Sequence, residues 1–195
     1  MYDATTALIV VDVQNDFADP AGSLYVTGGE DTIVTINREL NAAVAAGAVV
    51  VYTQDWHPPT TPHFVTSGGP WPVHCVGGTW GAELHPALRV VDGAETVRKG
   101  SGGEDGYSAF SVRDPVSGNA QATDLEKTLR GRGVTRVVVG GLATDYCVKE
   151  TVLDALRLGF ATDVLLDAIR AVDLEPGDGA TALAELHSAG AHFRE

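Results

Sequence analysis

Ala7–Val13 (ALIVVDV) is an apolar run rich in β-branched residues and broken only by Asp12. Runs without polar alternation suit a parallel strand covered on both faces, so a first strand is predicted here. From Asp31 to Ala46, Ile33, Ile36, Leu40 and Val44 recur at helical spacing, and Gly47 supplies the stop. Ala48–Thr53 (AVVVYT) then predicts a second buried strand, and strand, helix, strand in that order makes a right-handed parallel unit. A short strand, Thr96–Lys99, comes later. Toward the carboxyl end the alternation returns. It predicts a helix over Asp124–Arg132, a strand over Val134–Gly140, a helix from about Asp145 to Leu158, a strand over Ala161–Leu166, and a helix from about Gly177 to Ala189.

This order predicts an α/β fold, a doubly wound and mainly parallel sheet with helices on both faces. No repeat, low-complexity tail, heptad run or Pro-rich linker offers a seam, so residues 1–195 are expected to form one domain. Asp55–Gly81 is loaded with Pro, Gly, Thr, His and Trp, and neither it nor Gly100–Asn119 shows clear periodicity. Long irregular stretches inside a compact domain usually carry function. Ligands of open parallel sheets bind beyond the carboxyl ends of the strands. That rule singles out Asp12, the residues after Thr53, Lys99, and the segment after Gly140.

Composition narrows the chemistry. At 195 residues and 44% hydrophobic content, the chain can build its own core without a staple or metal. Thirteen Lys plus Arg against 26 Asp plus Glu give a net charge of −13, which repels phosphate backbones and anionic lipid surfaces. Neither nucleic acid nor a membrane is an expected partner. Two cysteines are too few for a secreted disulfide scaffold, and no basic segment precedes the first apolar run, so a reducing cytoplasm is expected.

Cys147 falls where a strand gives way to a helix. A first-turn position would favour the thiolate and offer backbone N–H groups to an oxyanion, although a buried structural cysteine is the alternative. Asp12 is either a loop brace or a general base whose carboxyl is raised by burial. Lys99 is a solvated surface charge or, beside those two, a cation that holds their geometry. Asp55, His57, His63 and His74 place one carboxylate and three imidazoles in one stretch, a donor set suited to Zn, Fe or Mn, with solvent-facing histidines as the bland alternative. Phe17 and Trp71 suit the walls of a slot for a flat ring, Trp56 a core lid, and Tyr107 shares their loops. His85, His187 and His192 have no such company, Cys75 has no assigned role, and GSGGEDG matches neither a dinucleotide nor a phosphate loop.

Together VVDVQNDF, TQDWHP, WPVHC, RKG, YSAF and GLATDYCV resemble the nicotinamidases of the isochorismatase-like cysteine hydrolase superfamily. The resemblance implies a catalytic triad of Asp12, Lys99 and Cys147, and a metal set of Asp55, His57, His63 and His74. It implies a cis Leu142–Ala143 peptide with Ala143 and Cys147 N–H groups as the oxyanion hole, and Phe17, Trp71 and, more weakly, Tyr107 around a pyridine ring. The implied substrate is a small carboxamide, deamidated through a thioester. An amidohydrolase of carbamoyl or ureido compounds would share the triad without needing the histidine loop. An isochorismatase would not call for the cysteine, and a metal-binding protein with an inert cysteine is the rival from another class. Apolar helix faces hint at a homo-oligomer.

Overall fold

The computed structural model describes residues 1–195. Strands β1 (Thr6–Val11), β2 (Val49–Asp55), β3 (Glu95–Lys99), β6 (Arg136–Leu142), β7 (Ala161–Arg170) and β8 (His192–Arg194) form one parallel sheet in the order β3-β2-β1-β6-β7-β8. Two further strands, β4 (Ser111–Arg113) and β5 (Ala120–Ala122), pair as a separate antiparallel hairpin. The expected mainly parallel α/β fold is therefore the observed one.

All six residues of β1 are buried, and their side chains alternate between the two faces. Leu8 and Val10 pack into one core with Ile33, Ile36, Leu40 and Ala43 of helix α2 (Thr32–Ala45). Ala7, Ile9 and Val11 pack into the other, with Leu125 and Leu129 of α3 (Leu125–Gly131), Val152 and Ala155 of α4 (Lys149–Arg157) and Leu186 of α5 (Asp178–Ser188). A strand buried on both faces has no polar side to alternate with, which is why ALIVV reads as a continuous run.

The sheet grows outward from β1 in one direction through β2 and β3 and in the other through β6, β7 and β8. The switch point lies between β1 and β6, and a crevice forms there beyond the strand ends. The two backbones approach so closely that a Cβ built on Gly141 would fall 2.0 Å from the Val11 carbonyl oxygen. Only glycine fits, and Gly141 also has a φ of 126°. The ladder between β6 and β7 shifts register at this point.

Three expectations need correction. The helix foreseen from Asp145 is divided: Thr144–Val148 forms a π-helical turn, and regular α-helix begins at Lys149. The strand foreseen to end at Leu166 continues to Arg170. The sequence pattern also gave no sign of the short α1 (Asn15–Ala18), the β4–β5 hairpin or β8, because elements of three or four residues are too short to show a period. No helix is long and apolar enough to cross a membrane.

Candidate active site

Asp55 and Lys99 are register partners at the ends of β2 and β3, and Asp12 directly follows β1. The parallel ladder therefore delivers all three to the same edge. Asp12 has a φ of 47°, a conformation that L residues rarely adopt and that tends to mark functional sites. Lys99 is only 1% exposed, and its Nζ lies 2.6 Å from Asp12 Oδ2, 2.9 Å from Asp55 Oδ1 and 3.2 Å from Cys147 Sγ. It also donates to the Tyr107 carbonyl at 3.1 Å. Ligand atoms of Asp12, Asp55 and Cys147 all lie within 4.8 Å of one another.

An ammonium buried this deeply persists because anions surround it. Desolvation alone would lower the Lys99 pKa, but Asp12 and Asp55 carry it well above the ordinary value. Burial would likewise raise Asp55, yet Lys99 and the His57 and His74 rings hold its carboxyl well below the usual range. Burial raises Asp12, partly offset by Lys99 and by the Thr53 hydroxyl that donates to Oδ1 at 2.5 Å.

Burial also pushes the Cys147 thiol well up, against the pull of Lys99. The expectation of a thiol lowered by a helix start is thus corrected. Cys147 sits inside the π-turn, 5% exposed, where burial works against the charged sulfur. A resting thiol beside a carboxylate calls for proton transfer as the substrate arrives, rather than a standing thiolate.

Coordinating atoms of His57, His63 and His74 lie within 4.8 Å of one another, and all three side chains are buried. Asp55 Oδ2 is 3.7 Å from His57 Nε2 and 3.8 Å from His74 Nε2. Both His57 ring nitrogens are buried without a hydrogen-bond partner, and such orphans are rare in folded proteins. Three converging imidazoles and a carboxylate with unspent lone pairs fit a divalent ion. Gly100, at a φ of 79°, allows the crowding: a Cβ there would lie 2.5 Å from His57 Nδ1.

The irregular chain that carries these histidines is pinned by its own backbone. His57 N–H donates to the Cys75 carbonyl, Gly77 N–H to the His57 carbonyl, and Val65 N–H to the Trp71 carbonyl. Phe17, Trp71 and Tyr107 meet His63, His74, Asp55 and Cys147 around one narrow pocket. Trp71 Nε1 donates to the Tyr107 hydroxyl at 3.0 Å, and the Trp71 and Tyr146 rings meet edge-on at 4.9 Å. The Leu142–Ala143 peptide is cis, and Ala143 lines the pocket beside Cys147. Tyr146 and Val148 N–H groups, on either side of Cys147, both donate to the Ala143 carbonyl.

The remaining candidates lie elsewhere. His192 is exposed on β8, and His85 is 3.8 Å from Asp19. Cys75 is buried with no disulfide partner, and its thiol faces the Gly81 carbonyl. Trp56 carries the Arg98 guanidinium over its ring at 3.8 Å and packs on the core, as a lid would.

Several site residues escaped the sequence. Gln14 Nε2 donates to the Asp55 carbonyl, and its Oε1 accepts from the Asp55 N–H, fixing the strand end that presents this carboxylate. Thr53 braces Asp12, Tyr146 walls the pocket, and Asp105 Oδ1 lies 2.9 Å from His63 Nδ1. The His63 ring holds the Asp105 carboxyl below its usual range. Gln14 and Thr53 carried a legible signal, as polar residues inside or beside apolar strands; Asp105 carried none.

Nicotinamidase from Escherichia coli K12 is 39% identical over 201 residues, covering 95% of this chain and 92% of that protein. Pyrazinamidase of Pyrococcus horikoshii, solved in complex with zinc, superposes with a TM-score of 0.88 at 40% identity, over 98% of this chain and 99% of the other. PnC1 from L. infantum, solved in complex with nicotinate, gives 0.88 at 39% identity, over 100% of this chain and 95% of the other. An isochorismatase-domain model matches residues 6–194, and the chain belongs to the isochorismatase family.

Proposed function

We propose that this chain hydrolyses nicotinamide to nicotinic acid and ammonia, with Cys147 as nucleophile, Asp12 as general base and acid, and Lys99 as the cation between them. One observation carries the reading: the acid and the amine meet at the sulfur, and that sulfur's residue lines an aromatic pocket that His63 and His74 of the imidazole cluster line as well. The relatives named above, a nicotinamidase and a protein holding nicotinate, support the substrate. The histidine cluster favours this over a carbamoyl or ureido amidohydrolase, which has no need of it. Both cores serve the one crevice, so we assign residues 1–195 to one domain.

Asp12 takes the thiol proton as Cys147 Sγ attacks the carboxamide carbon, and the C–S bond forms while the carbonyl becomes an oxyanion. Ala143 and Cys147 N–H groups hold that oxyanion. Collapse breaks the C–N bond, Asp12 returns its proton to the leaving nitrogen, and ammonia departs from a thioester. Asp12 then deprotonates water, which attacks the thioester; sulfur leaves, regains its proton and releases nicotinic acid. Lys99 keeps its charge throughout and compensates whichever neighbour is anionic.

Asp55, His57, His63 and His74 would hold a divalent ion, zinc first in view of the P. horikoshii structure. When bound it supplies an anchor for the pyridine nitrogen, which aligns the carbonyl with the sulfur. Phe17 and Trp71 flank the ring, and Tyr107 supports Trp71. The test is ammonia release from nicotinamide with metal content measured on the same sample. Turnover with bound divalent metal is expected; a metal-bearing protein inert toward nicotinamide refutes the assignment.

A further inference from the structure

We propose that Asp105 is a positioning residue for the divalent-cation site, acting through the Nδ1 edge of His63, and that the β4–β5 hairpin exists in part to hold it there. This rests on the metal set proposed above and adds a residue outside it.

A neutral imidazole has one N–H and one lone pair, and an acceptor at one nitrogen decides which is which. His74 already has such an acceptor, since its Nδ1 lies 2.7 Å from the Pro72 carbonyl. His63 has no backbone carbonyl in that role. Its buried Nδ1 makes no hydrogen bond as it stands, but Asp105 Oδ1 is 2.9 Å away, so a turn of the ring that brings Nδ1–H into line completes the contact. A carboxylate there keeps the proton on Nδ1, turns the Nε2 lone pair toward the other imidazoles, and makes His63 a stronger donor.

The carboxylate is itself built into place. Gly106 N–H donates to the same Oδ1 at 2.8 Å. The Asp105 main chain exchanges two hydrogen bonds with Arg113 of β4, at 2.6 and 2.5 Å, in an antiparallel bridge. Gly106, at a φ of 126°, lets the chain pass so close that an added Cβ would lie 3.2 Å from Val112 Cα. One residue later Tyr107 gives its carbonyl to Lys99 and its hydroxyl to Trp71. The segment from Asp105 to Tyr107 thus touches the cation site, the ammonium and the pocket wall in turn, and the hairpin anchors it.

The experiment is competition for zinc between the zinc-loaded full-length chain and a chelator, in wild type, Asp105→Ala, Asp105→Asn and His57→Ala. Asp105→Ala should weaken zinc binding about 10–100-fold, the usual consequence of losing a group that orients a ligand. Asp105→Asn, whose amide oxygen still accepts from Nδ1–H, should recover most of it. If Asp105→Ala proves unstable, Asp105→Ser reads the same loss. Nitrogen-15 NMR of the stripped protein should find His63 as the Nδ1–H tautomer in wild type and as a mixture in Asp105→Ala, a change that a merely structural role would not produce. Wild-type zinc affinity in Asp105→Ala, with His57→Ala losing zinc, overturns the positioning role and leaves the metal set standing. Retained zinc in His57→Ala as well overturns the metal set and this proposal with it.

Discussion

The two sides of the crevice are held by different forces. Asp12, Asp55 and Lys99 stand at the ends of neighbouring parallel strands, where ladder register sets their spacing before any side chain interacts. His63, His74, Trp71 and Tyr107 stand on irregular chain, held by isolated bridges and by borrowed partners such as Asp105 and Pro72. The thiol side inherits the rigidity of the sheet. The imidazole side has to be assembled locally, contact by contact, and is the side at which a single distant substitution can loosen geometry. Asp55 belongs to both, with one oxygen toward Lys99 and the other toward His57 and His74.

If the two sides are separable, each can be removed alone. Cys147→Ala should show the largest effect, a fall in turnover of at least about 10⁴-fold, the order expected when a covalent nucleophile is lost. Zinc content and the thermal unfolding curve should stay as in wild type. Residual turnover near wild type would rule out the covalent route. Next in size, His57→Ala should weaken zinc binding by about 100-fold or more, exceeding the loss for a merely orienting group. KM for nicotinamide should rise while Cys147 keeps its rate of alkylation by iodoacetamide. A thiol whose alkylation changes along with zinc loss would mean that Asp55 and Lys99 transmit one side's state to the other.

A smaller effect sharpens the account of the thiol side. Thr53 donates to Asp12 Oδ1 and accepts from the Asp12 N–H. A hydrogen bond to the ionised form lowers a carboxyl pKa, so its removal in Thr53→Val must raise Asp12 above its already raised value. The base is then protonated over a wider acid range. The acid limb of the kcat/KM profile should move to higher pH, and activity at a fixed acidic pH should fall, while activity on the plateau changes little. Hydrogen bonds to charged groups contribute about 1.5–3 kcal/mol, enough for the move to be resolved. An unmoved limb would assign it to a group other than Asp12.

The same division explains what the sequence could reveal. β1, β2 and β6 are long apolar runs, so their carboxyl ends, and with them Asp12, Asp55 and the Cys147 segment, could be located from pattern alone. The four-residue and three-residue elements gave no period, and the π-turn is indistinguishable in sequence from the start of an α-helix. The direction of the Cys147 pKa was missed for a related reason: local chain position suggests dipoles, whereas burial depends on what the whole fold packs around the sulfur. Asp105 was invisible because its partner lies 42 positions away on another loop, joined by no periodicity. Histidine clustering could be read as a donor set, but which groups orient the rings could not.

The mildest test lies on the imidazole side. Tyr107 is half-buried, and burial pushes its hydroxyl up to about 12, so it remains a neutral phenol that accepts from Trp71 Nε1. Tyr107→Phe keeps the ring and leaves the backbone carbonyl that Lys99 uses, but deprives a buried indole N–H of its acceptor. An unsatisfied buried donor costs about 1–3 kcal/mol. In a domain of this size each kcal/mol corresponds to about 2–4 °C in Tm. Because Trp71 is a pocket wall and not a reacting group, the loss should appear as a several-fold rise in KM with kcat within about 2-fold. A fall in kcat at unchanged KM would instead place the Tyr107 hydroxyl in the chemical step. The supporting contacts of the imidazole side would then be as close to the reaction as the strand ends opposite.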